Sequence, residues 1–287
     1  MPNSKPTIHD FRAMKAQNKN IVMVTAYDYP AAKAVAAAGV DIILVGDSLG
    51  MAVLGYDSTI PVTMDDMIHH AKATRRGAPN SFIVTDLPFL SYQVSVAQAL
   101  RNAARLVQEG WCDAVKLEGG RNIADQVHAI VEAGIPVMGH IGLQPQSVNQ
   151  LGGYKVQGRT YEDARSIIEE AKILEQAGCF ALVVECVNAD VADIIATQLT
   201  IPVIGIGAGK DCDGQVLVLH DLLGMHDGRL PKFVKTYGNV LDEMVQGVSA
   251  YAAEVRATTF PAAEHTYSIS VDVRDRLRKE FQPDGHH

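Results

Sequence analysis

Cysteine is scarce and unpatterned in this chain of 287 residues. Cys112, Cys179, Cys186 and Cys212 form no Cys-x-x-Cys pair and have no histidine at zinc-ligand spacing. A disulfide framework and a structural zinc site are therefore not expected, and all four read as reduced thiols. Residues 1–10 lack the apolar segment of a secretory signal, so no signal peptide is expected. No apolar stretch approaches the roughly 20 residues of a membrane-spanning helix. Positive charge is in deficit, with 25 Lys and Arg against 33 Asp and Glu, a net charge of −8. That balance argues against non-specific nucleic-acid binding and against docking on an anionic membrane. The expectation is a cytoplasmic protein with neither membrane nor nucleic acid as a partner. What the chain does have is 47% hydrophobic and 20% charged residues, ordinary for a globular protein with a large core.

The apolar segments alternate in kind along the chain. Short β-type runs at 21–25, 41–45, 81–85, 114–117, 136–139, 180–184, 202–206 and 215–219 read as strands. Between them, 29–38, 123–133, 161–176 and 189–199 read as helices, as do segments that Thr63 and Ser95 can cap. Gly39, Gly110, Gly134 and Gly178 each stand shortly before a strand, where helix C-caps are expected. Ile8, Phe11 and Met14 mark a leading helix over 7–18. Eight strand–helix repeats imply a parallel sheet closed on itself. The predicted fold is thus α/β, a (β/α)8 TIM barrel with a leading N-terminal helix. The barrel is expected to span 1–257 as one catalytic domain, with its last helical region over 231–256. Residues 258–287 form a tail without a clear period. A long loop over 141–158, with Gly142, Gly152, Gly153, Gly158 and four glutamines, reads as a lid or a wall for a large second ligand.

Five of the apolar runs end on an acid or a base. They close at Asp47-Ser48, Asp86, Lys116-Leu117-Glu118, His140 and Glu185. Buried charges are unfavourable unless paired, hydrogen-bonded or metal-bound, and a barrel gathers its strand ends around one pocket. Lys116 and Glu118 are two apart on one strand and so share a face; an internal salt bridge is the simplest alternative. Asp47, Asp86 and Glu118 bring three carboxylates together, which like-charge repulsion disfavours unless a cation neutralises them. An all-oxygen set suits Mg²⁺. Glu185 ends an apolar strand, where desolvation favours a general base, although a structural acid paired to Lys or His fits the same position. His140 fits a substrate contact or a hydrogen-bonded core histidine. Gly205-Ile206-Gly207-Ala208-Gly209 precedes a strand rather than a helix, which argues against a dinucleotide site. His69-His70, adjacent on a helix, cannot share one metal site.

These residues resemble ketopantoate hydroxymethyltransferases, the folate-dependent enzymes of pantothenate synthesis. The resemblance rests on Val22-Met23-Val24-Thr25-Ala26-Tyr27-Asp28, Gly46-Asp47-Ser48-Leu49-Gly50-Met51, Pro61-Val62-Thr63-Met64 and Asp86-Leu87-Pro88-Phe89. It continues through Lys116-Leu117-Glu118-Gly119-Gly120, Gly139-His140-Ile141-Gly142-Leu143, Pro145-Gln146-Ser147, Gly205 to Gly209 and Pro231-Lys232-Phe233-Val234-Lys235. It implies transfer of a hydroxymethyl group from 5,10-methylenetetrahydrofolate to 3-methyl-2-oxobutanoate, giving 2-dehydropantoate through a Mg²⁺-stabilised enolate. It further implies Asp47, Asp86 and Glu118 as metal ligands, Ser48 and Lys116 on the keto-acid carboxylate, Glu185 as the base, and a homodecamer. The chain departs from the family pattern at Asn188, where proline is usual, and at Gln144, where threonine is usual. Two other readings are a lyase of the isocitrate lyase and phosphoenolpyruvate mutase type, which needs no folate, and a barrel that binds without turnover.

Overall fold

The structure is a computed structural model; it describes residues 5–281 apart from 154, 227 and 229. The closing residues 282–287, with the His286-His287 pair, lie outside the described residues. By its internal contacts the chain divides after Gly238 into two compact units.

The first unit contains eight parallel strands in a closed barrel, in chain order. They are β1 (Ile21–Thr25), β2 (Ile42–Val45), β3 (Phe82–Asp86), β4 (Ala114–Glu118), β5 (Val137–Gly142), β6 (Ala181–Glu185), β7 (Val203–Ile206) and β8 (Gly214–Leu217). The TIM-barrel expectation is met, and β1 closes the ring on β8 through Ile21 opposite Gly214. Alternation along the strands separates two cores. Ile42, Leu44, Phe82, Val84, Ala114, Met138, Val183 and Ile204 fill the barrel. Their neighbours Ile43, Val45, Ile83, Val115, Leu117, Leu182 and Val184 pack outward with the helices, as the period-two side-chain alternation requires.

The leading helix is Ile8–Ala16, with Asp10 accepting from the Thr7 main-chain N–H and hydroxyl at its start. Its Phe11 stands among Phe82 and Phe180, with ring centroids 5.0 and 6.5 Å away, and fills one end of the barrel interior. Lys15 ties the same helix to Asp213 at 2.7 Å. Asp41, Asp113 and Asp213 stand just before β2, β4 and β8 and repeat one device. Each accepts from a main-chain N–H early in the preceding strand, that of Val22, Ile83 and Val203 respectively.

Four strands run further than predicted. β3, β4, β5 and β6 include Asp86, Glu118, His140 and Glu185 as ladder residues, because each still pairs with the adjacent strand or a strand end. β8 in contrast ends at Leu217, and Leu219–Leu222 is a short helix. Residues 207–213, between β7 and β8, contain no helix, in keeping with the reading of the glycine-rich turn. The long loop carries a 3-10 turn, Pro145–Ser147, and a helical turn, Val148–Leu151. Asn188, the departure from the family pattern, caps the helix Ala189–Gln198, its side chain accepting from the Asp190 N–H at 3.0 Å.

The second unit begins at Asn239 and consists of the helix Val240–Arg256, a 3-10 turn at Ala263–His265 and the helix Val271–Phe281. Helix therefore starts nine residues later than 231, after a turn at 232–233, in which the Val234 N–H donates to the Pro231 carbonyl, and an irregular stretch. Within this unit the Phe260 ring meets Tyr251 edge-on and His265 at a tilt.

Candidate active site

Inward-facing positions at the C-terminal ends of β3 to β6 carry the polar residues. Below them, Val84, Ala114, Met138 and Val183 are apolar and packed. The register sets Asp86 beside Lys116 and Glu118 beside His140. Asp47 and Ser48 follow β2, and Gly46 leaves room for the Ser48 hydroxyl, since a Cβ on it would lie 2.8 Å from Ser48 Oγ. The Asp47 N–H donates to Asp86 Oδ2 at 3.1 Å. Asp47, Asp86, Lys116, Glu118 and His140 are each no more than 5% exposed. Glu185 keeps 16% of its side chain accessible. All seven residues named from the sequence thus lie at the same rim of the barrel, linked as follows.

Lys116 Nζ is 3.1 Å from Asp86 Oδ1 and 3.2 Å from His140 Nδ1. The ion pair of Lys116 is therefore made to the neighbouring strand, not along its own strand to Glu118. His140 lies between two acids, with Nδ1 3.5 Å from Glu118 Oε1 and Nε2 3.2 Å from Glu185 Oε2. Burial and the Lys116 charge both oppose protonation of this ring. The two flanking carboxylates outweigh them and push its pKa up to about 9. Burial alone would lower Lys116, but Asp86, Glu118 and Asp47 raise it to about 12. Burial, then repulsion from Glu118 and Asp86, holds Asp47 well above the usual carboxylate range. Asp86 is raised by burial, which the Lys116 charge only partly offsets. Burial pushes Glu118 up as well, but the contact with His140 and the Lys116 charge outweigh it and leave it lowered. Ser48 Oγ shares a 2.8 Å hydrogen bond with the hydroxyl of buried Tyr27.

Two participants escaped the sequence reading. Gln146, from the 3-10 turn of the long loop, donates from Nε2 to Asp47 Oδ2 at 2.8 Å and from its N–H to Glu118 Oε2 at 3.0 Å. The Tyr92 hydroxyl is 2.7 Å from Gln146 Oε1. Gln146 stood in the Pro145-Gln146-Ser147 string and in the glutamine-rich loop, but glutamine in a loop is normally exposed, and nothing in the sequence singled out Tyr92. His70, by contrast, is engaged with the Tyr27 carbonyl at 2.6 Å, away from these acids. The four cysteines are free, and burial pushes Cys112 and Cys179 up to about 12, which makes them unreactive thiols.

Among the described residues no group of three His, Cys, Asp or Glu side chains stands close enough to form a ready metal cluster. The donors nevertheless suit a hard divalent cation. Asp47, Asp86 and Glu118 offer oxygen only, and buried Asp86 Oδ1 lacks an aligned hydrogen bond despite the nearby Lys116. The arrangement offers chemistry of a definite kind: positive charge from Lys116 beside carboxylates and the His140 ring, with one acid, Glu185, more accessible than the rest.

Residues 5–263 match the family model for ketopantoate hydroxymethyltransferase. The 3-methyl-2-oxobutanoate hydroxymethyltransferase of Geobacillus sp. (strain WCH70) is 58% identical over 260 residues, covering 91% of this chain and 93% of the relative. That of Bacillus thuringiensis (strain Al Hakam) is 56% identical over the same shares. Among solved structures, phosphonopyruvate hydrolase in complex with oxalate and Mg²⁺ matches with a TM-score of 0.58 at 13% identity, over 98% of this chain and 99% of that one. A 2,3-dimethylmalate lyase of the phosphoenolpyruvate mutase and isocitrate lyase superfamily matches with a TM-score of 0.56 at 13% identity, over 95% and 98%. At such identities these structures speak for the barrel alone. With more than half of its sequence held in common with the curated relatives over nine-tenths of its length, the chain belongs to the ketopantoate hydroxymethyltransferase family and is an enzyme of the transferase class.

Proposed function

We propose that this chain transfers a hydroxymethyl group from 5,10-methylenetetrahydrofolate to C3 of 3-methyl-2-oxobutanoate, forming 2-dehydropantoate. The observation that carries the reading is the buried group Asp47, Asp86, Lys116, Glu118 and His140, with the more open Glu185 3.2 Å from His140. Asp47 and Asp86 would hold Mg²⁺, with Glu118 joining them directly or through water. When bound, the cation supplies Lewis-acid polarisation of the keto oxygen. Lys116, with Ser48, receives the keto-acid carboxylate; its ammonium is already set among acids and needs little reorganisation to serve a further one. Glu185 takes the C3 proton, and its carboxylate lies within reach of solvent and so of substrate. His140 stands between Glu118 and Glu185, with a ring nitrogen facing each acid, and lines the site beside Lys116. Water hydrolyses 5,10-methylenetetrahydrofolate, releasing tetrahydrofolate and a one-carbon unit at the formaldehyde level; the carbanion adds to that carbon, and the alkoxide formed takes back a proton to become the hydroxymethyl group. The long loop over 141–158 is the wall proposed for the folate.

Self-association, with a homodecamer as its extent, is part of the same reading. Its support is the apolar surface left on the helix Val240–Arg256, where Met244, Val245, Val248 and Tyr251 are each more than half exposed. Sedimentation velocity measures it directly. A cytoplasmic location is part of the same reading; none of the described helices is long and apolar enough to cross a membrane.

The test of the chemistry is proton NMR of 3-methyl-2-oxobutanoate in D₂O with enzyme and Mg²⁺, with and without tetrahydrofolate. Loss of the C3 proton signal, abolished by chelator, is the expected result. A lyase of the phosphoenolpyruvate mutase type predicts no dependence of turnover on folate. No exchange under any of these conditions refutes the proposed substrate.

A further inference from the structure

Gln146 is 3% exposed, and every hydrogen-bonding position of its side chain is used. Nε2 faces two acceptors, Asp47 Oδ2 at 2.8 Å and the Leu87 carbonyl at 3.0 Å, which fixes the amide orientation. Oε1 faces the Tyr92 hydroxyl at 2.7 Å and Gln93 Nε2 at 3.4 Å. The Tyr92 hydroxyl also accepts from the Glu118 N–H at 3.2 Å. The main-chain N–H of Gln146 donates to Glu118 Oε2 at 3.0 Å. A single loop residue therefore engages Asp47 through its side chain and Glu118 through its backbone. A buried amide saturated in this way has one low-energy orientation, and so do the carboxylates that it holds.

We propose that Gln146 is a positioning residue that presents Asp47 and Glu118 to the divalent cation and couples cation binding to the order of the loop over 143–158. The inference rests on the metal reading given under the proposed function. With Oδ2 of Asp47 taken by the amide, Oδ1 is left for the cation. Each acid is also restrained before the cation arrives, which lowers the entropy lost on binding. The coupling runs the other way as well. Asp47 and Glu118 drawn toward a cation hold Gln146, and Gln146 holds the start of the loop. The far end of the loop is pinned separately, the Gln157 N–H donating to the Cys186 carbonyl at 2.7 Å. Lys155 and Arg159, exposed between and beyond these anchors, are sites for trypsin.

The test is Gln146→Met, which keeps the length and apolar volume of the side chain and removes both amide functions. Calorimetric titration of metal-free protein with Mg²⁺ is expected to show affinity weakened about 10- to 100-fold, the range for loss of a partner that orients a metal ligand. At saturating Mg²⁺ the KM for the keto acid stays within about twofold of wild type, a separation that general loosening of the site does not produce. Mg²⁺ is expected to slow tryptic cleavage after Lys155 in wild type and not in Gln146→Met, with cleavage after Arg159, beyond the separate anchor at Gln157, as the control. Folded Gln146→Met with wild-type Mg²⁺ affinity, or with equal protection by Mg²⁺, overturns the inference. If Gln146→Met does not fold, Tyr92→Phe removes the hydroxyl that anchors Oε1 and that also contacts the Glu118 N–H and carbonyl, so protection of Lys155 by Mg²⁺ is read beside the affinity. A several-fold weaker Mg²⁺ affinity then supports the inference and an unchanged one overturns it. Wild-type protein that takes up no Mg²⁺ overturns the parent reading too, whereas wild-type binding with an unaltered variant overturns this inference alone.

Discussion

Replacing Lys116 by methionine tests whether a bound cation and the lysine share the task of neutralising the rim. Lys116 is 4% exposed, and its Nζ lies 3.1 Å from Asp86 Oδ1. At that separation a unit-charge pair at an effective dielectric constant of 20 is worth about 5 kcal/mol before desolvation is counted. Removing one partner of a buried pair typically destabilises by about 3–5 kcal/mol, because the other charge is left uncompensated. Loss of Lys116 also removes the positive charge that opposes protonation of His140, which recovers part of the balance. The expectation for Lys116→Met is therefore a loss toward the lower end, about 3 kcal/mol, in urea unfolding with chelator present. Excess Mg²⁺ should stabilise the variant more than wild type, because the cation meets a more negative site. The KM for the keto acid should stay raised even at saturating Mg²⁺, since the cation does not replace the ammonium beside the substrate carboxylate. An equal stabilisation of both proteins by Mg²⁺, or an unchanged KM, refutes the reasoning.

Glu185→Gln keeps the shape of the base and removes its capacity to take a proton, so C3–H exchange should fall by about 10²- to 10⁴-fold; exchange at the wild-type rate rejects Glu185 as the base. His140 makes the metal-free protein sensitive to pH. Its folded pKa of about 9 lies above the ordinary histidine value of 6.5, so the stability that it contributes is fully present below pH 6.5 and is lost as pH rises through 9. The loss is on the order of 3 kcal/mol, since each pH unit between those two values contributes about 1.4 kcal/mol. Unfolding of wild type and His140→Gln across that window should diverge at low pH and converge at high pH; parallel curves count against the assignment. Phe11→Ala removes a fully packed ring from one end of the barrel and should destabilise it by about 3–5 kcal/mol. A loss below about 1 kcal/mol in urea unfolding would mean that the leading helix does not plug that end.

The barrel was legible because a parallel strand buried on both faces is an apolar run, and because the helices between such strands carry a 3.6-residue stripe. Asp86, Lys116, Glu118, His140 and Glu185 could be singled out for the same reason, as charges closing runs that are otherwise apolar. Strand ends were harder to read. A polar side chain ends a hydrophobic pattern while the backbone ladder continues, so β3 to β6 run on through residues that look like loop. At Asn188, a departure from the family pattern, the side chain caps the following helix.

Local sequence thus determined the strands, their order and the charged residues at their ends, since each depends on periodicity within a few neighbours. Partner choice came from tertiary structure alone. Lateral register sets Lys116 against Asp86 rather than Glu118 and sets Glu118 against His140, whose ring also reaches Glu185. The loop path carries Gln146, 99 residues from Asp47 in sequence, to 2.8 Å from its carboxylate. Which charge meets which, and which neutral amide comes between them, follows from closing the ring, because strand stagger and loop return are properties of the whole barrel rather than of any segment.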